Sequence, residues 1–316
     1  MKLPSVSDSD ESLGLRAAWL HYVGGLTQAE VAKRLGLPSV KTHRLIARAV
    51  AEGAVKVTID GDIIGCVELE SRLRERYGLD VCRVAPDVAE EGLPVRALGV
   101  AGADYLRTVL GNNPEMTIGL GHGRTLSAAI HQLPRLDARR VRFVSLLGCL
   151  TRNYALNPHD VMHRIAEKTG ARAYIMPVPF FANTVEDREV LLSQRGVGQV
   201  FEMAAASSLK LVGIGTVEPA AQLVEAGMLE REEINTLAAA GAVGEILGHF
   251  FDARGQRIDN SLTARTMAVK LDLRRRDNIV ALAGGATKVV ALRAVLASGL
   301  LRGLITDELT ARTLLS

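Results

Sequence analysis

From Leu79 onward, short apolar segments alternate with segments of helical pattern, and this alternation limits the possible folds more than any other feature of the chain. Seven segments have the length and apolar character of strands: 80–84, 116–120, 141–147, 173–178, 209–214, 279–283 and 304–305. Four intervening segments have helical patterns: 125–131, 160–169, 231–240 and 288–298. Strands separated by helices are typical of βαβ units, in which parallel strands need a crossover. The sequence therefore predicts an α/β domain built on a largely parallel sheet.

A different pattern precedes this domain, where two helical segments meet at the short turn 36–38. Thr27 and Glu30 have the spacing of a capping box at the start of the first helix. The glycine of the turn suits the left-handed end of that helix, and the proline suits the first turn of the next. A valine-rich segment, 55–59, follows at once. This order predicts a winged helix-turn-helix over residues 13–60, which makes double-stranded operator DNA the first partner to consider.

Basic residues are concentrated in this predicted module. Residues 31–50 contain five Lys or Arg and no acid, whereas the whole chain has a formal net charge of only +3. We expect the second helix to bury Val40, Leu45, Ile46 and Val50. The remaining outward positions predict a set of DNA contacts: Thr27, Gln28, Ser39, Lys41, Thr42, His43, Arg44, Arg48 and Lys56.

Within this set, Lys41, Thr42 and Arg44 are the predicted base contacts, because the N-terminal half of a recognition helix meets the base edges. Arg48 and Lys56 are the predicted backbone contacts. The alternative for the same residues is a helical hairpin whose basic face is merely solvated. The combination of cap, glycine turn, proline and wing favours DNA binding.

Residues 61–78 predict a further helix, since Cys66, Leu69, Leu73 and Tyr77 recur at three- and four-residue spacing and form one apolar face. We expect this helix either to link the two domains or to join two subunits.

Other features exclude several classes of protein. Residues 1–12 are polar and acidic, which predicts a flexible tail rather than a signal peptide. No apolar run approaches the roughly 20 residues needed to span a bilayer, so no membrane partner is expected. The three cysteines are an odd number without metal-ligand spacing, which indicates a reducing cytoplasm and no disulfide framework. His159 and His163 are spaced as in a zinc-protease helix, but no clear third ligand is present. We expect no metal and no cofactor.

Glycine-rich turns follow two of the predicted strands. Segment 117–125 runs from a strand into a helix through such a turn, but it matches neither the dinucleotide fingerprint nor the Walker A loop. Segment 281–288 repeats the arrangement and ends in Lys288, and segment 304–308 places two carboxylates after a short strand. Open α/β sheets bind ligands at the carboxyl ends of their strands. The donors and acids together favour a polyol, a sugar or a sugar phosphate.

The chain resembles the SorC family of bacterial sugar-responsive transcription regulators over essentially its whole length. Besides the helix-turn-helix, the resemblance is carried by segments 121–125, 211–215, 251–255, 283–288 and 304–311. It implies an oligomeric effector domain over residues 61–316, of the ribose-phosphate isomerase or glucosamine-phosphate deaminase type. With His122 of the first loop included, the implied effector contacts are Gly121, His122, Gly123, Arg124, Thr125, Asp252, Gly284, Gly285, Lys288, Asp307 and Glu308.

Within the family, segments 38–46, 118–126 and 157–163 resemble those of regulators of erythritol catabolism in alpha-proteobacteria. It implies a repressor of a sugar-alcohol operon that responds to a small carbohydrate or its phosphate. Three residues depart from many family members, namely Thr42 and His43 in the second helix and His122 in the glycine loop. The alternative is a sugar-phosphate isomerase or transferase with an accessory helix-turn-helix, and Lys288, Asp307 and Glu308 would be its candidate chemistry.

Overall fold

The computed structural model describes residues 10–52, 54–55, 63–113, 115–150, 161–271 and 277–316. The chain divides into two compact units, residues 1–61 and 62–316. Most of the predicted wing, including Lys56, lies outside the described residues, as does His159 of the histidine pair. None of the helices within the described ranges is long and apolar enough to cross a membrane.

The first unit contains three described helices, α1 (Asp10–Tyr22), α2 (Gln28–Leu35) and α3 (Ser39–Ala51). Their apolar faces meet in a small core that includes Ala17, Val31 and Ile46. Helix α1 begins at Asp10, so the prediction of a flexible tail is wrong for residues 10–12. Asp10 and Glu11 lie in the first turn of α1, where carboxylates interact favourably with the positive end of the helix dipole.

The ends of α2 follow the prediction. The hydroxyl of Thr27 accepts a hydrogen bond from the amide of Glu30, and the Glu30 carboxylate accepts one from the amide of Thr27 at 2.7 Å. Gly36 then ends the helix with φ of 67°, a conformation that glycine adopts without the cost of a Cβ. The predicted capping box and glycine turn are therefore confirmed.

The second unit contains ten of the described α-helices and eleven strands. The helices are α4 (Ile64–Tyr77), α5 (Val95–Asn112), α6 (Arg124–Gln132), α7 (Met162–Thr169), α8 (Val185–Ser193), α9 (Val197–Ala205), α10 (Gln222–Glu225), α11 (Arg231–Ala239), α12 (Val289–Ala297) and α13 (Glu308–Leu315). The strands are β1 (Val81–Ala85), β2 (Thr117–Leu120), β3 (Arg142–Leu150), β4 (Arg172–Pro179), β5 (Leu209–Val212), β6 (Gly215–Thr216), β7 (Ala242–Ile246), β8 (His249–Asp252), β9 (Arg257–Ile258), β10 (Ile279–Leu282) and β11 (Gly303–Asp307).

Seven strands form one parallel sheet in the order β1-β11-β10-β5-β2-β3-β4. These seven correspond to the seven predicted strand segments, so the predicted parallel sheet is confirmed. Strand β5 lies between β10 and β2, the strands that precede the two glycine-rich turns. The carboxyl ends of three adjacent strands therefore bring both turns to the same edge of the sheet.

A second, antiparallel sheet of order β6-β7-β8-β9 has no counterpart among the predicted strands. Its outer strands are only two residues long, too short for alternation of polar and apolar residues to be visible. Strand β7 packs against α12 and runs beside β6, which follows closely after β5. The small sheet therefore borders the same edge of the large sheet.

Helix α4 buries Cys66, Leu69 and Leu73 on one face, as its spacing predicts. This face packs against β1 and α13, and the Tyr77 hydroxyl donates a hydrogen bond to the carbonyl of Leu314 at 3.1 Å. The helix is thus part of the second unit. Its predicted role between domains or subunits stays a prediction.

Candidate functional site

A cavity of about 70 Å³ lies at the carboxyl ends of β2 and β5, bordered by the small sheet and by the turn that precedes α12. Its lining residues are His122, Gly123, Arg124, Thr125, Gly213, Ile214, Gly215, Thr216, Ala220, Gln222, Leu223, Glu245, Leu247 and Lys288. Most of its polar groups come from four separate segments of the chain. Such convergence of polar groups in a small concave site is typical of a ligand-binding cavity.

The glycine loop after β2 gives the cavity hydrogen-bond donors from the backbone. Gly123 has φ of 125°, which favours glycine, and it precedes α6 without a side-chain cap. The first amides of α6 can therefore donate to a bound oxygen or anion. The Thr125 hydroxyl donates to the carbonyl of Leu282 at 2.8 Å, which ties the loop to β10. The ring of His122 packs edge-on against Phe180, with centroids 5.7 Å apart.

Lys288 provides a cationic group at the cavity. It ends the short 3-10 helix Ala286–Lys288, and its ammonium donates a hydrogen bond to the carbonyl of Ile214 at 2.6 Å. Burial, together with the nearby charge of Arg124, lowers the pKa of Lys288 to about 8, and the charge of Glu245 opposes this shift. The ammonium is thus held in place and incompletely solvated, which strengthens its interaction with an acceptor on a ligand.

Glu245 on β7 provides a buried carboxyl at the same cavity. Burial raises its pKa to about 7, although the amide of Gly248 donates a hydrogen bond to Oε1 at 2.5 Å and the charge of Lys288 attracts it. Across from it, a Cβ on Gly215 would collide with Oε2. Because Gly215 has no side chain, there is room beside it for the Glu245 carboxyl.

The sequence predictions did not include Glu245. It is the one acid in the apolar segment 242–251, and it is only 7% exposed. An isolated acid inside an apolar strand was a signal that could have found it, because a carboxyl is rarely buried without a partner or a function.

Five of the eleven predicted effector contacts line the cavity: His122, Gly123, Arg124, Thr125 and Lys288. Gly121 lies just outside this set, and its amide donates to the carbonyl of Leu211 at 2.8 Å, which positions the loop. Asp252 does not line the cavity either. Its Oδ1 accepts hydrogen bonds from the amides of Arg254 and Gln256, which closes the β8–β9 hairpin.

The two acids after β11 also lie outside the cavity lining, and their role as effector contacts stays a prediction. Asp307 caps α13, since Oδ1 accepts from the amide of Thr310 at 2.9 Å and Oδ2 from the amide of Gly285 at 3.0 Å. Glu308 forms an ion pair with Arg312 at 2.7 Å, and this pairing lowers the pKa of Glu308. Both carboxylates have structural partners.

Gly284 and Gly285 do not line the cavity, although the sequence predicted ligand contacts for both. A Cβ on Gly284 would collide with the Asp307 carboxylate, and Gly285 has φ of 100°. The two glycines let the chain pass close to Asp307 and turn into the segment that carries Lys288. They therefore shape the site indirectly.

The face that α3 exposes differs from the predicted one. Thr42 is fully buried, and its hydroxyl donates to the carbonyl of Pro38 at 3.1 Å, so it is not available to a base edge. Val40, which was predicted to be buried, is 83% exposed, and Val50 is 40% exposed. Leu45 and Ile46 are buried as predicted.

The helical period explains these corrections. Residues two positions apart lie about 200° apart around an α-helix. Because Thr42 faces the core, Val40 and Arg44 must both face outward. The outward face of α3 carries Ser39, Val40, His43, Arg44, Ala47 and Arg48.

Two predicted DNA contacts on α3 have acidic partners. The Lys41 ammonium lies 3.1 Å from the carboxylate of Asp10 on α1. Arg48 pairs with Glu52 one turn along the chain at 2.6 Å, which raises the pKa of Arg48. Arg44 and His43, in contrast, lie exposed on the outward face.

No group of three or more histidine, cysteine or acidic residues is arranged to hold a metal ion within the described ranges. The cavity offers a ligand the amides at the start of α6, the Lys288 ammonium and the Glu245 carboxyl. These groups can bind a hydroxylated ligand through both donors and acceptors.

A cavity at the strand ends of an α/β domain and a small helical unit with a basic face are the two parts expected of a ligand-responsive regulator. Residues 61–316 match the family model Sugar-bind, a sugar-binding domain. The chain is 63% identical over 310 residues to "Erythritol catabolism regulatory protein EryD" of Brucella abortus (strain 2308), covering 98% of each chain. It is 34% identical to "Transcriptional regulator LsrR" of Enterobacter sp. (strain 638), covering 98% of this chain and 94% of that one.

The solved structures include the full-length sorbitol operon regulator SorC from Klebsiella pneumoniae, with a TM-score of 0.69 and 25% identity. The match covers 98% of this chain and 100% of that one. The chain belongs to the SorC family of sugar-binding transcriptional regulators. These relatives are regulators and not enzymes. The isomerase alternative is not supported, and Asp307 and Glu308 do not accompany Lys288 in the cavity lining.

Proposed function

We propose that this protein represses an operon for the catabolism of a sugar alcohol of the erythritol type, and that a small polyol or its phosphate in the cavity relieves repression. The observation that carries the proposal is the 63% identity to the erythritol catabolism regulatory protein over nearly all of both chains. Identity at that level over the full length favours a shared ligand class as well as a shared fold.

The chemistry of the cavity supports a small hydroxylated effector. A polyol hydroxyl both donates and accepts hydrogen bonds. The amides at the start of α6 and the Lys288 ammonium offer donors, and the Glu245 carboxyl offers an acceptor. Each end of a short polyol therefore has a complementary partner, and a phosphate would find its donors at Lys288 and Arg124.

On the DNA side, α2 and α3 belong to a winged helix-turn-helix that binds double-stranded operator DNA in this function. Helix α3 is the recognition helix, with Arg44 and His43 facing base edges. Ser39 and Arg48 are assigned to phosphates, as are Thr27 and Gln28 near the start of α2. Lys41 pairs with Asp10, and its positive charge contributes to the electrostatic attraction of DNA. Lys56 remains a predicted phosphate contact.

The same proposal includes self-association in the cytoplasm. A roughly palindromic operator requires two recognition helices related by symmetry, which a dimer or tetramer supplies. The effector would then favour one of two states of the protein by binding it more tightly than the other.

A gel-shift experiment with the protein's own upstream DNA tests this proposal. At low salt, full-length protein is expected to retard that fragment, and erythritol or erythritol phosphate is expected to release it. Glucose at the same concentration serves as the control and should leave the complex intact. Absence of a specific shift contradicts the DNA-binding part, and a shift that none of the polyols affects contradicts the effector part.

A further inference from the structure

The side chain of Gln222 at the cavity has an unsatisfied hydrogen-bond acceptor. Gln222 is the first residue of α10, and it lines the cavity together with Glu245 and Lys288. Its Oε1 atom is buried and has no hydrogen-bond partner among the described residues. Buried side-chain oxygens are nearly always paired, because an unpaired one loses the hydrogen bonds it made in water.

The other buried side-chain atom without a partner in the described part of the chain is the hydroxyl of Thr306, which does not line the cavity. Among the described residues that line the cavity, Gln222 thus differs in having a buried side-chain oxygen without a partner. The Thr125 hydroxyl donates to Leu282 and the Lys288 ammonium donates to Ile214, so both already have a protein partner. Gln222 lines the cavity, and its amide oxygen has no hydrogen-bond partner among the described residues.

The chemistry of this oxygen limits what can lie next to it. A carbonyl oxygen only accepts hydrogen bonds, so its partner must be a donor. The deprotonated oxygens of phosphates and carboxylates only accept and would leave Gln222 unsatisfied. The buried carboxyl of Glu245 on the same cavity adds a second acceptor, which disfavours an anion there further.

We propose that Gln222 determines effector specificity by accepting a hydrogen bond from a free hydroxyl of the bound ligand. The inference rests on the proposed function and narrows its ligand class. The effector is a small polyol with an unsubstituted hydroxyl at Gln222, and any phosphate it carries is at the other end, near Lys288 and Arg124. A polyol that lacks this hydroxyl leaves the acceptor unpaired and binds more weakly.

A ligand-by-residue cycle on the full-length protein tests this assignment. Calorimetric titrations compare erythritol with butane-1,2,3-triol and butane-1,2,4-triol, each of which lacks one hydroxyl. Gln222→Met removes the acceptor and keeps the length of the side chain, and Gln222→Glu keeps an acceptor. Gln194→Met is the matched control, because Gln194 is exposed and lies outside the cavity lining.

For Gln222→Met we expect erythritol to bind roughly tenfold more weakly or worse, the loss of about one hydrogen bond. At least one of the triols should bind wild type and Gln222→Met with nearly equal affinity, since it lacks the hydroxyl concerned. Gln222→Glu should keep the preference for erythritol over that triol. Gln194→Met should behave as wild type.

Three results overturn the inference without affecting the proposed effector class. Unchanged erythritol affinity in Gln222→Met means that Gln222 makes no hydrogen bond to the ligand. An equal loss for erythritol and both triols means a structural role alone. A loss in Gln222→Glu as large as in Gln222→Met means that the amide nitrogen is the group in use. If wild type binds none of the polyols while still binding DNA, the proposed effector class fails and the inference fails with it, a result distinct from the other three.

Discussion

The ammonium of Lys288 lies 2.6 Å from the carbonyl oxygen of Ile214 and donates a hydrogen bond to it. This contact joins the turn after β10 to the end of β5, which are neighbouring strands of the parallel sheet. It holds the cation at the cavity at a fixed position. The remaining hydrogens of the ammonium can donate to a ligand.

Replacing this lysine should separate effector response from DNA binding. Lys288→Met removes a charged donor, worth about 1.5–3 kcal/mol, so effector affinity should fall roughly 10- to 100-fold. Affinity for operator DNA without effector should not change. Calorimetry and gel shifts on the same preparation measure both quantities. Lys270→Met, at an exposed lysine of the same unit, is the matched control. Normal release of DNA by effector in Lys288→Met would show that the cavity is misassigned.

The buried carboxyl of Glu245 should make stability depend on pH. Its pKa is raised from the ordinary 4.5 to about 7, so the folded protein holds the proton more tightly than the unfolded chain. The resulting stabilisation is complete below about pH 4.5 and is lost as pH rises through about 7. Wild type should therefore lose stability relative to Glu245→Gln between pH 5 and pH 7.

Urea unfolding of both proteins at several pH values in this range measures the difference. Lys288, with a pKa of about 8, remains largely protonated there and contributes little to the comparison. Parallel pH profiles for wild type and Glu245→Gln would contradict burial of an ionisable carboxyl at this position.

On α3, two neighbouring positions should respond in opposite ways. Arg44 faces outward, so Arg44→Ala should weaken specific operator binding by about 1–3 kcal/mol if it reads a base. Thr42 is fully buried, so Thr42→Val should leave operator affinity nearly unchanged and affect only stability. Fluorescence anisotropy at fixed salt, with specific and random DNA, gives both affinities. A larger loss of specific binding in Thr42→Val than in Arg44→Ala would contradict the observed face of α3.

The acids after β11 should differ in their effect on stability. Asp307→Ala removes the acceptor for the amides of Thr310 and Gly285 and should cost about 1–3 kcal/mol in free energy of unfolding. Glu308→Ala removes an ion pair near the surface and should cost little. Chemical denaturation measures both variants. If Asp307→Ala were fully stable and lacked effector binding, the result would contradict a purely structural role and support the ligand role predicted from the sequence.

Much of the fold could be predicted because its main signals are local. The central strands β2, β5, β10 and β11 are buried, short and largely apolar segments, which are visible without knowledge of their partners. The capping box at Thr27 and the turn at Gly36 are fixed by adjacent residues. The small sheet depends on pairing between segments far apart, and its two-residue strands have no pattern of their own.

The site was harder to predict because the same residue types serve structure and binding. An acid after a strand can meet a ligand, but it can also cap the next helix, and Asp307 does the latter. Thr42 and Arg44 are two positions apart, so they lie on nearly opposite sides of a helix. The sequence prediction selected polar residues as base contacts without applying this constraint. Gln222 and Glu245 reach the cavity only through the placement of the small sheet.

The central claim is that occupation of this cavity controls binding to DNA. Its most direct test is an anisotropy titration of the full-length protein on its labelled upstream DNA, with increasing erythritol, for wild type and Lys288→Met. We predict that erythritol lowers the operator affinity of wild type and that Lys288→Met binds the operator equally well but needs at least tenfold more erythritol to release it. Identical release curves for the two proteins, or no effect of erythritol or its phosphate on wild type, would contradict the claim.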